Sequence, residues 1–128
     1  MKKKIGLSFW VGDSFSQILR AIELGCNFLQ VSLEFPFLYQ KRSIHLLNEI
    51  IDNGLEIAFE SPQGAVQIFN PIKEISRSSL KIMNKILNFC SKFNPLYFNL
   101  HQIIDISTYS LFKEEIEKRK IGDCKRIV

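Results

Sequence analysis

The sequence predicts an α/β protein of about four parallel βα units, arranged as part of a β/α barrel. Three observations carry this reading. Short apolar runs alternate strictly with segments of helical periodicity from Ile5 to Leu100, which is the pattern of right-handed βαβ units and a parallel sheet. Each run splits with period two into an apolar side and a small or polar side. The 128 residues make one domain by size, yet only about half of a complete eight-stranded barrel.

The elements follow in order. Ile5 to Phe9 reads as a strand, and Gly12-Asp13-Ser14 supplies a turn and a helix N-cap. Phe15, Ile18, Leu19 and Ile22 then recur at helical spacing, with Gly25 as the stop. Phe28 to Leu33 is the second strand. After the aromatic loop 35–39, Ile44, Leu47, Ile50 and Ile51 mark a second helix that ends at Asn53-Gly54. Leu55 to Phe59 is the third strand. Asn70-Pro71 opens a long helix with proline in its first turn, where the missing N–H costs nothing. Its expected buried stripe is Ile72, Ile75, Met83, Ile86, Leu87 and Cys90, and Asn94-Pro95 ends it. Leu96 to Leu100 is the fourth strand, and Leu111, Phe112, Glu115, Ile116 and Arg119 are in register for a fourth helix within 110–120. No linker or low-complexity stretch interrupts the chain, so residues 1–128 are expected to form one domain.

Composition narrows the class. Hydrophobic residues make up 46%, enough for a core and too many for a disordered chain. No apolar stretch approaches the ~20 residues of a membrane span. The Met1-Lys2-Lys3-Lys4 opening lacks the apolar run of a signal peptide, because Gly6, Ser8 and Asp13 break it. A cytoplasmic protein is the expectation. The net charge of +4 comes from Lys2 to Lys4 and from Lys118, Arg119, Lys120, Lys125 and Arg126, and solvated ends account for it better than a nucleic-acid surface. Three distant cysteines, Cys26, Cys90 and Cys124, form no Cys-x-x-Cys pair, so neither a disulfide framework nor a zinc knuckle is indicated. Gly-x-Gly-x-x-Gly, Walker and Gly-x-Ser-x-Gly motifs are likewise missing from the sequence.

The strand faces locate a candidate site. One face carries Ile5, Leu7, Phe9; Leu29, Val31, Leu33; Leu55, Ile57, Phe59; and Leu96, Phe98, Leu100. The other carries Gly6, Ser8, Trp10; Gln30, Ser32, Glu34; Glu56, Ala58, Glu60; and Tyr97, Asn99, His101. A sheet covered by helices on both faces wants both apolar, whereas a barrel interior leading to a polar pocket accommodates the second set. The last members of that set, Trp10, Glu34, Glu60 and His101, with Ser61 and Gln102 one step on, should converge at the C-terminal ends of the strands, where such folds place their chemistry. Two carboxylates and an imidazole suit a divalent metal such as zinc or manganese, or proton transfer beside a carbonyl. Each residue also has a plainer role: a rim hydrogen bond for His101, a loop cap for Glu34, a turn cap for Glu60, core filling for Trp10. Their common position at successive strand ends favours a site. His45, beside the Ile44 and Leu47 stripe, reads as solvated surface.

Several of these segments resemble the xylose isomerase-like TIM-barrel superfamily, which includes endonuclease IV-type apurinic endonucleases and many sugar-phosphate isomerases and epimerases. The similar segments are Lys3 to Ser8, Ala21 to Val31, Gly54 to Pro62, Phe69-Asn70-Pro71 with its long helix, and Tyr97 to His101, together about residues 3–102. The resemblance implies that His101 corresponds to the family's fourth-strand metal-ligating histidine. Glu60 stands where members typically have a third-strand histidine, a departure that suits a harder metal than the endonuclease zinc cluster. The implied roles are Glu60 and His101 for a divalent metal, Glu34 for catalysis, and Trp10 and Gln102 for substrate. The implied activity is that of a sugar-phosphate isomerase or epimerase, with cleavage at abasic DNA as the alternative. The family completes its site with ligands from later strands that have no counterpart here, so the isolated chain is expected to be weakly active or inactive. A truncated frame, a half-barrel that pairs with itself or with a second chain, and an open non-catalytic interaction module all remain open.

Overall fold

The computed structural model describes residues 3–10, 14–34, 40–62 and 67–100. These fall into two compact units, one within Met1–Pro62 and Asn88–His101, the other within Gln63–Leu87. The first contains a four-stranded parallel sheet in the order β1 (Gly6–Trp10), β2 (Phe28–Ser32), β3 (Glu56–Glu60), β4 (Phe98–Asn99). Helices α1 (Phe15–Glu23) and α2 (Lys41–Asp52) connect the first three strands. They touch each other as well as the sheet, as expected when successive crossovers of one hand lie on one face. The α/β class and the alternation of elements agree with the sequence reading. His101, Gln102, Cys124 and the helix expected within 110–120 lie outside the described residues.

Local chemistry explains the element ends. Gly25 and Gly54 follow α1 and α2 with φ of 71° and 78°, the left-handed conformation that a Cβ disfavours. Ser14 occupies the N-cap of α1, although its hydroxyl meets Ser16 at 2.6 Å and caps no backbone N–H. Strands β1 and β3 each run one residue later than their apolar runs, because the ladder pairs Gly6 with Phe28 and Phe28 with Glu56. Trp10 and Glu60 are thereby paired members of the sheet. The fourth strand is regular only over Phe98–Asn99, but Leu96 N donates to Ile57 O and Phe59 N to Tyr97 O, so 96–99 runs along β3. The preceding Pro95 has no N–H to offer.

The core lies on the odd-numbered side of the sheet. Phe9, Leu29, Val31, Leu55, Ile57 and Phe59 are buried there. Ile18 and Ala21 of α1, and Leu46, Leu47 and Ile50 of α2, are buried with them. Phe93, in the 3-10 turn Ser91–Phe93, meets Phe59 edge-on at 6.1 Å and Phe89 at 5.4 Å. Not all of the predicted apolar face is covered: Leu7 on β1, Ile5 just before it and Leu96 just before β4 are exposed.

Helix α3 (Lys73–Cys90), most of which belongs to the second unit, departs from its expected stripe. Ile72 and Ile75 are exposed, and Leu87 is half-buried. Ser76 and Ser79 are buried instead, ahead of Met83, Ile86 and Cys90. The reason is the segment before the helix. Ser76 Oγ donates to Ile68 O at 2.6 Å and Gln67 N donates to Ser79 Oγ at 3.0 Å. The two serines thus satisfy the carbonyl of buried Ile68 and the N–H of Gln67 before it. Asn70 Oδ1 accepts from Ile72 N at 2.9 Å, closing the turn into α3.

Two predictions follow from this packing. A Cβ built on Gly6 would run into the Phe28 ring, so Gly6→Ala should cost about 1–3 kcal/mol in urea unfolding, and markedly less in a Phe28→Leu background. Desolvation outweighs a backbone hydrogen bond and pushes the Cys90 thiol from 9.0 up to about 12. The folded state therefore holds this proton more tightly, and the associated stability is complete below pH 9 and lost as pH rises toward 12. Between pH 8 and pH 10 the unsubstituted protein should lose on the order of 1 kcal/mol more stability than Cys90→Ala, measured by urea titration.

Candidate functional site

The even-numbered side of the sheet presents its residues in cross-strand rows. Ser8, Gln30 and Ala58 align, with Tyr97 next in the row, and nearer the C-terminal ends Trp10, Ser32, Glu60 and Asn99 align. Adjacent strands lie ~4.8 Å apart, so Trp10 and Glu60, two strands apart, are separated by about 10 Å at the backbone. Glu34 follows two residues after Ser32 and is half-buried. Trp10 is 41% exposed, so it borders this face and does not fill a core.

Glu60 is the centre of the arrangement. It is 7% exposed and is the one buried charged side chain among the described residues. Gln30 Nε2 donates to Glu60 Oε2 at 3.0 Å, and Ser32 Oγ donates to the same oxygen at 2.9 Å. Tyr97 donates its phenolic proton to Gln30 Oε1 at 2.9 Å. That bond orients the Gln30 amide, because a carbonyl facing the phenol leaves the NH2 facing the carboxylate. Tyr97 and Gln30 reach one another across Ala58, whose methyl leaves room for the contact. The ring of Phe28 meets Tyr97 edge-on at 6.0 Å and lies over Gly6, fixing the other side of the phenol.

Of the four strand-end residues singled out in the sequence, Trp10 and Glu60 align with Ser32 between them, Glu34 lies two residues beyond that row, and His101 lies outside the described residues. Gln30, Ser32 and Tyr97 share this face in the sequence, where alternation alone assigns them no role. Their signal was available, since Gln30 and Ser32 alternate on the strand beside Glu60. His45 is solvated, with Nε2 3.5 Å from Glu49 Oε1. Beside it a groove of about 250 Å3, lined by Phe15, His45, Leu46 and Glu49, opens between α1 and α2. Glu56 pairs with Lys4 at the other end of the polar face, where exposure leaves such a pair worth little.

Chemically, the arrangement offers a carboxylate held in one orientation by neutral donors, with an aromatic wall in the same row. Among the described residues no three His, Cys, Asp or Glu side chains gather around a common point. Glu60 fits as one hard oxygen donor for a divalent ion. Compared with known proteins, the chain matches no family model, no curated protein and no solved structure.

The clamp on Glu60 is open to measurement. Ser32→Ala should cost about 1.5–3 kcal/mol, the range for a hydrogen bond to a charged group. A double-mutant cycle of Ser32→Ala with Glu60→Ala should return a coupling of about 1 kcal/mol or more in urea unfolding.

Proposed function

We propose that this chain is the amino-terminal part of a metal-dependent TIM-barrel protein of the sugar-phosphate isomerase and epimerase kind. The observation that supports this most is the buried, doubly hydrogen-bonded Glu60 at the C-terminal end of a parallel strand, the end at which βα barrels carry their chemistry. The resemblance over residues 3–102 points the same way.

In this reading Glu60 and His101 hold a divalent ion such as zinc or manganese, which when bound supplies a Lewis acid for substrate oxygens. The remaining roles belong to the chain's own side chains. Gln30 and Ser32 keep the Glu60 carboxylate in a fixed orientation, so that it meets a ligand without rearranging. Glu34, beyond Ser32 on the same face, moves the proton alpha to a sugar carbonyl. Trp10 and Gln102 line the place of a sugar or sugar phosphate. Two protein ligands make an incomplete site, so turnover by these 128 residues alone is weak or nil.

Metal analysis tests the reading. Purified protein titrated with zinc and with manganese should bind close to one ion per chain, and His101→Ala and Glu60→Gln should each weaken binding about tenfold or more. A chain that takes up neither ion in calorimetry would overturn it. Exchange of the proton alpha to the carbonyl of a sugar phosphate, followed by NMR in heavy water, separates the isomerase branch from nicking of an abasic-site duplex.

A further inference from the structure

The two oxygens of the Glu60 carboxylate are not equivalent. A carboxylate oxygen has two lone-pair sites, and at Oε2 both are taken, by Gln30 Nε2 at 3.0 Å and Ser32 Oγ at 2.9 Å. Both donors are fixed. Ser32 pairs with Glu60 in the β2–β3 ladder, so its hydroxyl stands directly beside the carboxylate. Gln30 is held from its far side, where Tyr97 donates to Oε1 at 2.9 Å. Turning the amide over would set its carbonyl against Glu60 Oε2, acceptor to acceptor, and give up the proton that Tyr97 supplies. Glu60 Oε1 has two sites of its own, and a hydrogen bond at one of them still leaves the other for a cation.

We infer that Ser32, and Gln30 as Tyr97 holds it, close Oε2 to cations and thereby set which divalent ion Glu60 accepts. The inference rests on the metal-dependent reading above and adds the determinant of its selectivity. A cation reaching Oε2 would have to displace a donor that also compensates the burial of the charge. Glu60 therefore acts as a one-oxygen ligand. Zinc and manganese accept such a ligand within their few, regularly placed bonds. Calcium gathers about six to eight oxygens and often draws two of them from one carboxylate. With Oε2 closed, that second bond is denied. Tyr97 works only through Gln30 and is a positioning residue.

Calorimetric titration of the 128-residue protein with manganese and with calcium tests this. The unsubstituted protein should prefer manganese. Ser32→Ala opens a lone-pair site on Oε2, and should narrow the preference about tenfold or more by tightening calcium. A merely structural role for Ser32 would weaken both ions alike, so the gain for calcium is the diagnostic reading. Tyr97→Phe, which keeps the ring and removes the hydroxyl, should shift the ratio in the same direction by a smaller factor. Ser32→Thr, which keeps a hydroxyl, should preserve the unsubstituted ratio. Binding of neither ion by the unsubstituted protein overturns the metal-dependent reading and this inference with it. Manganese binding with the same manganese-to-calcium ratio in folded Ser32→Ala or, should that variant unfold, in Tyr97→Phe overturns only the closure of Oε2.

Discussion

The parallel register between β2 and β3 fixes both the core and the place where chemistry can occur. Phe28 is set against Glu56 and Ser32 against Glu60, and with alternating side chains this leaves Gln30 and Ser32 on the same side as Glu60. A slip of one residue would turn every side chain to the opposite face. Glu60 would then enter the helix-covered side, and Phe59 would face outward. What resists the slip is the burial of Leu29, Val31, Ile57 and Phe59, none of them more than 2% exposed. The apolar side of these two strands therefore positions the carboxylate that the polar side displays.

Keeping Glu60 buried has a cost, because a carboxylate gives up strong hydration when it leaves water. The sheet offsets that cost with neutral donors from the neighbouring strand, both aimed at one oxygen. The chain of donation runs from Tyr97 through Gln30 to Glu60, so the outermost strand contributes to orienting a group on β3. Ala58 makes this possible. A branched side chain there would stand between Tyr97 and Gln30, and the Gln30 amide would lose the partner that sets its direction. Small residues on the polar face thus have a steric role beside their neighbours' polar one.

Most of the fold was legible because period-two and period-3.6 patterns report directly on which side of an element is dry. Gly25 and Gly54 were legible for a different reason, since the left-handed turn after a helix favours glycine. The first half of α3 was not. Ile72 and Ile75 fit the helical stripe, and a pattern reading weighs only apolarity. Ser76 and Ser79 displace them because they pair with the buried Ile68 C=O and the neighbouring Gln67 N–H of the preceding segment, a demand invisible until that segment's path is known. At the candidate site, alternation along single strands puts Trp10 and Glu60 on the polar side, but it sets Glu34 level with them where the register sets Ser32. The clamp was hidden because it depends on register between strands, which no single strand encodes. His101 and Gln102 rest on the sequence reading alone.

The edge strands tie the sheet's unfinished core to its polar face. Leu7 and Trp10 belong to the same strand, and Leu96 immediately precedes Tyr97. Whatever covers Leu7 on the helix side must run alongside β1, and it then also stands beside Trp10 on the polar side. The same holds for Leu96 and Tyr97 at β4. Covering Tyr97 also shields the phenol that orients Gln30, and lower local polarity strengthens the hydrogen bonds that end at Glu60. An added strand at either edge would therefore deepen the face that displays Glu60 and tighten the network that holds it. Closing the core and enclosing the candidate site are, in this sheet, one structural event.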